Sequence, residues 1–310
     1  MAAQAQTPTV CSNYTVTTKW CLECHSVHAA SPNGEALLPG KTITDDCNTC
    51  HDGTGGQGVY GVIKARLAVA PTSAHRTETA TVVPGGDSAT GGNKTMAFSG
   101  AGGTLTCTDC HSPHGADTVA PFRGDRQRSV WGVQPHISTK LLKKRPGNVA
   151  VPVAQYGSDW CLGCHKGRSS AGFVHNHPAE SSATVAFPYA YGNAPLVAPG
   201  VTTSSTALGQ LGITNRGYLM PFPRTTGAGG QAGHFPMCQQ CHEDAREVGT
   251  LNANGTASPY AFIVNNPPDG RTITDNPRFQ VFPHESTATA MLIQQNDDLC
   301  MNCHPTGQLP

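Results

Sequence analysis

The chain has 310 residues, of which only 53 are Leu, Ile, Val or Phe, while Gly (35) and Pro (24) are abundant. Charged residues make up 13% and balance to a formal charge of zero, which argues against both a well-solvated disordered tail and a broad basic footprint for nucleic acid. No apolar run approaches the roughly 18–20 residues that cross a bilayer as a helix, so no transmembrane segment is expected.

Residues 1–20 read as an N-terminal arm. The first eight carry neither a basic n-region nor an apolar h-region, so no signal peptide is visible. Cys11 is the odd cysteine of thirteen; it reads as a buried inert thiol, with a free or intermolecularly linked thiol as the alternative. From residue 21 onward the cysteines come in pairs. Cys21 and Cys24, Cys47 and Cys50, Cys107 and Cys110, Cys161 and Cys164, Cys238 and Cys241, and Cys300 and Cys303 each form C-x-x-C. Each pair is followed at once by histidine: His25, His51, His111, His165, His242 and His304. Glycine-rich stretches at 53–58, 85–92, 100–103 and 227–233 read as loops between them. Short helices are expected at the attachment segments and near residues 288–295, and short strands at 59–70 and 184–187. The basic run Lys140, Lys143, Lys144 and Arg145 reads as a solvated loop before Pro146 rather than a binding patch.

The C-x-x-C-H spacing has a chemical reason. Two thiols add across the two vinyl groups of a haem, and two intervening residues curl the backbone enough to present both sulfurs together. The adjacent histidine then reaches under the ring as the proximal iron ligand. Structural zinc uses C-x-x-C as well, but it has no need for a histidine after every second cysteine. A disulfide framework would suit an exported protein, yet C-x-x-C disulfides are usually redox-active rather than structural. The expected cofactors are therefore six haem c groups with their iron.

Six proximal histidines leave eight others. On a helical turn, residues three apart sit side by side. His28, three residues after His25, and His114, three after His111, therefore cannot easily reach the far face of the haem beside them and should ligate neighbouring haems. Internal similarity points to four more distal ligands. His75-Arg76-Thr77-Glu78 matches His177-Pro178-Ala179-Glu180, and Pro135-His136-Ile137-Ser138-Thr139 matches Pro283-His284-Glu285-Ser286-Thr287. The distal set is thus His28, His75, His114, His136, His177 and His284, with His234 and His175 in reserve. Met220, Met237 and Met301 read as packing residues, because histidine supply is sufficient. No C-x-x-C-K occurs.

The same similarity suggests internal repeats at about 75–165 and 177–304 within a single hexahaem domain spanning 1–310. The fold class expected is mostly irregular coil with short helices and few strands, a multihaem cytochrome c wrapped around a stacked haem chain. Two propionates per haem would add roughly 12 negative charges near neutral pH, making the holoprotein acidic.

The chain resembles the multihaem c-type cytochromes with repeated C-x-x-C-H motifs of metal-respiring bacteria and archaea. The resemblance rests on the six motifs, on Cys110-His111-Ser112-Pro113-His114-Gly115, Cys50-His51-Asp52-Gly53 and Asn176-His177-Pro178, and on Phe282-Pro283-His284-Glu285-Ser286 leading to Asp298-Leu299-Cys300. More narrowly it is similar to the extracellular cytochromes that polymerise into conductive filaments. That likeness implies electron hopping through bis-histidine haems, a homopolymer in which a subunit can lend a haem ligand to the next, and redox partner proteins. It also implies extracellular acceptors such as metal oxides, no catalytic residues, and export to the cell surface or beyond. Two other readings stay open: a soluble periplasmic or surface carrier, and a multihaem reductase of a small oxyanion.

Overall fold

The computed structural model describes residues 24–25, 37–52, 59–61, 64, 68–123, 137–169, 179, 238–242, 283–286 and 289–292. These residues are mostly turns and coil, punctuated by short helices and strands of two residues.

Four α-helices coincide with attachment motifs: α1 (Ile43–His51), α2 (Cys107–Cys110), α3 (Ser158–Leu162) and α4 (Cys238–His242). Their starts are set by local chemistry. The Thr42 hydroxyl accepts the Asp45 N–H at 3.1 Å, and Asp45 and Asp46 lie in the first turn, where negative charge complements the helix dipole. Ahead of α2, the Thr106 N–H donates to the Asp109 carboxylate at 2.8 Å, the reciprocal half of a capping box with Asp in the acidic position. The helix stops one turn later because His111 is extended (φ −110°, ψ 148°), which turns its side chain away from the Cys107–Cys110 helix.

The strands form three antiparallel pairs. β1 (Ser73–Ala74) pairs with β6 (Glu285–Ser286), β2 (Val82–Val83) with β3 (Lys94–Thr95), and β4 (Phe122–Arg123) with β5 (Ile137–Ser138). Two-residue strands contribute few ladder bonds, so they act as clips; Val83 in β2 and Glu285 in β6 are their buried side chains among those described. The β1–β6 clip is the longest in reach: Thr72 N–H donates to Ser286 O at 2.8 Å, His75 N–H to His284 O at 3.0 Å, and Met291 N–H to Ser73 Oγ at 2.9 Å.

The apolar core of the described residues is one small cluster of Val119, Leu142, Tyr156 and Trp160, with Cys110, Phe122, Val153 and Cys161 packed against it. Phe122 and Tyr156 stack with ring centroids 4.6 Å apart, and the Trp160 indole donates to Lys143 O at 2.8 Å. The core thus sits between the third and fourth motifs. A second close contact is made by backbone alone: Gly167 N–H donates to Gly85 O at 2.8 Å, and a Cβ at Gly167 would lie 2.3 Å from Asp87 O.

Three expectations differ from what is found. None of the described residues between 59 and 70 is in a strand; Gly61 has φ +77° and turns the chain there. Near 288–295 the described helix is a single 3-10 turn, Thr289–Met291. The basic run is not simply solvated. Lys143 Nζ donates to Thr108 O at 2.9 Å and Asn148 Oδ1 at 3.1 Å, and Arg145 and Lys144 both meet Asp117. The expected strand at 184–187 lies outside the described residues. Among the described residues no helix is long and apolar enough to cross a membrane.

Candidate haem centres

Each described motif presents its thiols from a short helical turn, and the third is the best braced. Asp109, inside Cys107-Thr108-Asp109-Cys110, is completely buried. Its carboxylate accepts the Thr106 N–H (2.8 Å), the Thr106 hydroxyl (3.2 Å) and the Ser99 N–H (3.1 Å). Lys143 holds the Thr108 carbonyl of the same turn. The neighbouring second motif is tied in by Glu78, whose carboxylate accepts the Thr44 hydroxyl at 2.8 Å, while its own N–H donates to Leu105 O at 2.8 Å.

The motifs also meet sulfur to sulfur. Cys47 and Cys107 share a hydrogen bond that draws Cys107 down to about 7 and, with burial, pushes Cys47 far up. Cys161 likewise bonds Cys238 and lowers it. Burial raises Cys110 to about 12 and Cys164 to about 11. The cysteines described (Cys24, Cys47, Cys50, Cys107, Cys110, Cys161, Cys164, Cys238 and Cys241) are all free of disulfides.

The histidines meet in twos. His25 and His114 have ring centroids 6.0 Å apart with an interplanar angle of 26°. His75 and His165 are 6.1 Å apart at 70°, and His111 and His284 are 6.2 Å apart at 4°. Each pair joins a C-x-x-C-H histidine to a histidine from elsewhere in the chain. An imidazole nitrogen sits about 2 Å from a bound first-row metal ion and about 1.1 Å from its own ring centre, so two trans ligands should have centroids about 6.2 Å apart. Ordinary aromatic contacts span a similar range, so distance alone does not decide the matter.

The ring nitrogens add an independent constraint. A carbonyl oxygen can only accept, so the Nδ1 facing it carries the proton. His165 Nδ1–H donates to Pro84 O (2.7 Å), His75 Nδ1–H to Pro283 O (2.6 Å) and His111 Nδ1–H to Lys140 O (2.9 Å). This is the arrangement of metal-ligating histidines, in which a backbone carbonyl fixes the tautomer and leaves Nε2 as the ligand. In the His75–His165 pair both rings are held this way. Desolvation by the surrounding chain lowers His75 and His111 and brings His165 to about 4. The edge of His75 stays accessible, yet the packing around it still disfavours the imidazolium. All three are therefore neutral near pH 7, as a ligand must be. His242 is lowered in the same way, and its Nδ1 lies 3.4 Å from Met291 O.

A second observation bears on the fit. Gln239, inside Cys238-Gln239-Gln240-Cys241, is 1% exposed, and its amide nitrogen and oxygen make no hydrogen bond among the described residues. Buried amides are rarely left so, and a carboxylate or other polar group of a bound cofactor would satisfy the nitrogen. Among the described residues no three His, Cys, Asp or Glu side chains gather around one point. The residues present fit haem.

Cys21, His28, His136, His175, His177, His234, Cys300, Cys303 and His304 lie outside the described residues, as do Cys11 and the three methionines Met220, Met237 and Met301. Of the distal candidates described, His75, His114 and His284 each face a motif histidine. Three contributors escaped the sequence reading: Asp109, Lys143 and Gln239. Asp109 was legible in principle, since Thr106-Cys107-Thr108-Asp109 has the capping-box form.

Residues 15–56, which contain the first two motifs, match the family model described as "Doubled CXXCH motif". The match supports a multihaem c-type cytochrome. The motifs indicate covalently bound haem c, and the family points to an electron carrier. Comparison with curated proteins and with solved structures found no match.

Proposed function

We propose that the chain is a hexahaem electron-transfer protein whose haems are each ligated by two histidines, and that it serves as the subunit of an extracellular conductive filament. The observation that carries the haem reading is that three histidine pairs, each joining a motif histidine to a distant one, include His75, His111 and His165, whose Nδ1–H is taken by a backbone carbonyl and whose Nε2 is left as the ligand atom.

On this reading Cys21, Cys24, His25 and His114 hold the first haem. Cys107, Cys110, His111 and His284 hold the third, and Cys161, Cys164, His165 and His75 the fourth. Motifs Cys47/Cys50/His51, Cys238/Cys241/His242 and Cys300/Cys303/His304 hold the second, fifth and sixth, and draw their distal ligands from His28, His136 and His177, with His234 and His175 in reserve. Haem, when bound, supplies one-electron redox chemistry. The chain's own work is to attach the rings, to hold the Nε2 lone pairs of His75, His111 and His165 ready through Nδ1–carbonyl bonds, and to limit water around the iron sites. Two histidines per iron leave no open position for a substrate, which favours conduction over catalysis. Coil-rich structure, with a small side-chain core among the described residues, suits a protein whose interior is largely macrocycle. The filament role rests on the resemblance in ligand style and composition, with the subunits joined as a homopolymer outside the cell.

Intact mass of the native holoprotein counts the covalent haems, and electron microscopy of the same sample reports filaments. Six haems per chain and filaments with a continuous haem path are expected. Six haems in a monomer would favour a soluble carrier, and a five-coordinate high-spin haem would favour a reductase. Absence of covalent haem would overturn the whole reading.

A further inference from the structure

The third and fourth haem sites meet at the β1–β6 clip, where two distal candidates lie beside each other. His75 follows β1 and His284 precedes β6, and His75 N–H donates to His284 O at 3.0 Å. A clip of two residues on each side is little to hold two ligands on which iron geometry depends. One side chain bridges them. We infer that Tyr60 is a positioning residue that locks the distal ligands of the third and fourth sites to each other; the inference rests on the haem reading above.

The phenol reaches both partners at once. Its hydroxyl donates to the His75 carbonyl at 2.6 Å, and its ring lies edge-on to the His284 imidazole, with centroids 5.5 Å apart and an interplanar angle of 84°. The next residue completes the clamp. Gly61 N–H donates to the Glu285 carboxylate at 3.1 Å, and the left-handed turn at Gly61 (φ +77°) lets adjacent residues engage both sides of the clip. Glu285, only 3% exposed, is itself the β-register partner of Ala74. Tyr60–Gly61 thus touches His75, His284 and Glu285.

The two halves of the phenol have separable roles. The hydroxyl holds the backbone of His75, whose ring crosses His165 at 70°. The ring meets His284 in a T-shaped contact, and that imidazole lies within 4° of parallel to His111. The angle between axial imidazole planes controls the splitting of the iron d orbitals, so a small rotation of either ligand is visible in the low-spin electron paramagnetic resonance spectrum. It is visible as well in the potential of that haem.

The test uses full-length holoprotein carrying Tyr60→Phe or Tyr60→Leu, with haem content measured alongside spectra and a redox titration. Tyr60→Phe removes only the hydroxyl and should shift the signal of the crossed pair while leaving the near-parallel pair in place. Tyr60→Leu removes the ring and should shift both, with haem content unchanged in either variant. Unchanged spectra and potentials in Tyr60→Phe at full haem content overturn the inference while leaving the haem reading intact. An equal shift of every haem signal in Tyr60→Phe also overturns it, because that marks a general structural role. A wild-type spectrum without bis-imidazole low-spin haem overturns the haem reading itself.

Discussion

Replacing Asp109 with alanine should loosen the third attachment turn more than any other single change in that segment. The carboxylate is wholly buried and divides its oxygens between two backbone donors, Thr106 N–H at 2.8 Å on Oδ2 and Ser99 N–H at 3.1 Å on Oδ1. Alanine leaves both without an acceptor; the Thr106 N–H is buried, and a buried unsatisfied donor costs about 1–3 kcal/mol, while Ser99 is exposed and its N–H can turn to water. The Thr106 hydroxyl loses less, because Ser99 Oγ and Thr108 Oγ1 stand 2.8 and 3.0 Å away. Removing the carboxylate also removes its own desolvation cost, which places the net loss at about 1–2 kcal/mol. Tenfold in an equilibrium corresponds to about 1.4 kcal/mol, so amide exchange across residues 99–111 should accelerate by about 5-fold to 30-fold in the holoprotein. Asp109→Asn keeps one acceptor oxygen and should fall between. Exchange in Asp109→Ala within about threefold of the parent would refute the argument, since that bounds the loss at about 0.7 kcal/mol.

Gly167→Ala places a Cβ 2.3 Å from Asp87 O and 2.6 Å from Gly91 Cα; both are backbone, so the 85–92 loop must move. A loss of about 1–3 kcal/mol is expected, and an unchanged denaturation midpoint would contradict it. Trp160→Phe deletes the donor to Lys143 O at the centre of the small core and should destabilise by about 1–3 kcal/mol, read as a lowered thermal midpoint. The oxidised holoprotein should show two distinguishable low-spin signals, a rhombic one from the 4° pair and a large-gmax one from the 70° pair. His75→Ala should abolish only the second and produce a high-spin haem in its place. Loss of the rhombic signal instead would reverse the assignment.

The C-x-x-C-H motifs could be read from sequence because their chemistry is local. Two thiols and the proximal histidine fall within five residues; a single helical turn presents the thiols, as α2 does for Cys107 and Cys110, and His111 follows it at once. The predominance of coil follows from the same composition, since few aliphatic residues and many Gly and Pro cannot build long sheets or helices. The spacing from His111 to His114 said that His114 should serve another motif's iron. It could not say which histidine His114 meets; the fold sets it against His25. The pairings His75–His165 and His111–His284 are of the same kind: residues far apart in sequence meet only after backbone clips such as β1–β6 have formed. Residues 59–70 read as a strand, yet none of those described is in one; Gly61 turns the chain, and Tyr60 meets the His75 carbonyl and the His284 ring. The basic run at 140–145 looked solvated until Lys143 met Thr108 O and Arg145 met Asp117. Covalent spacing along the chain therefore determined what the protein binds. Only the tertiary structure decided which histidines face one another, because trans ligation needs two rings about 6 Å apart and no local spacing specifies that meeting.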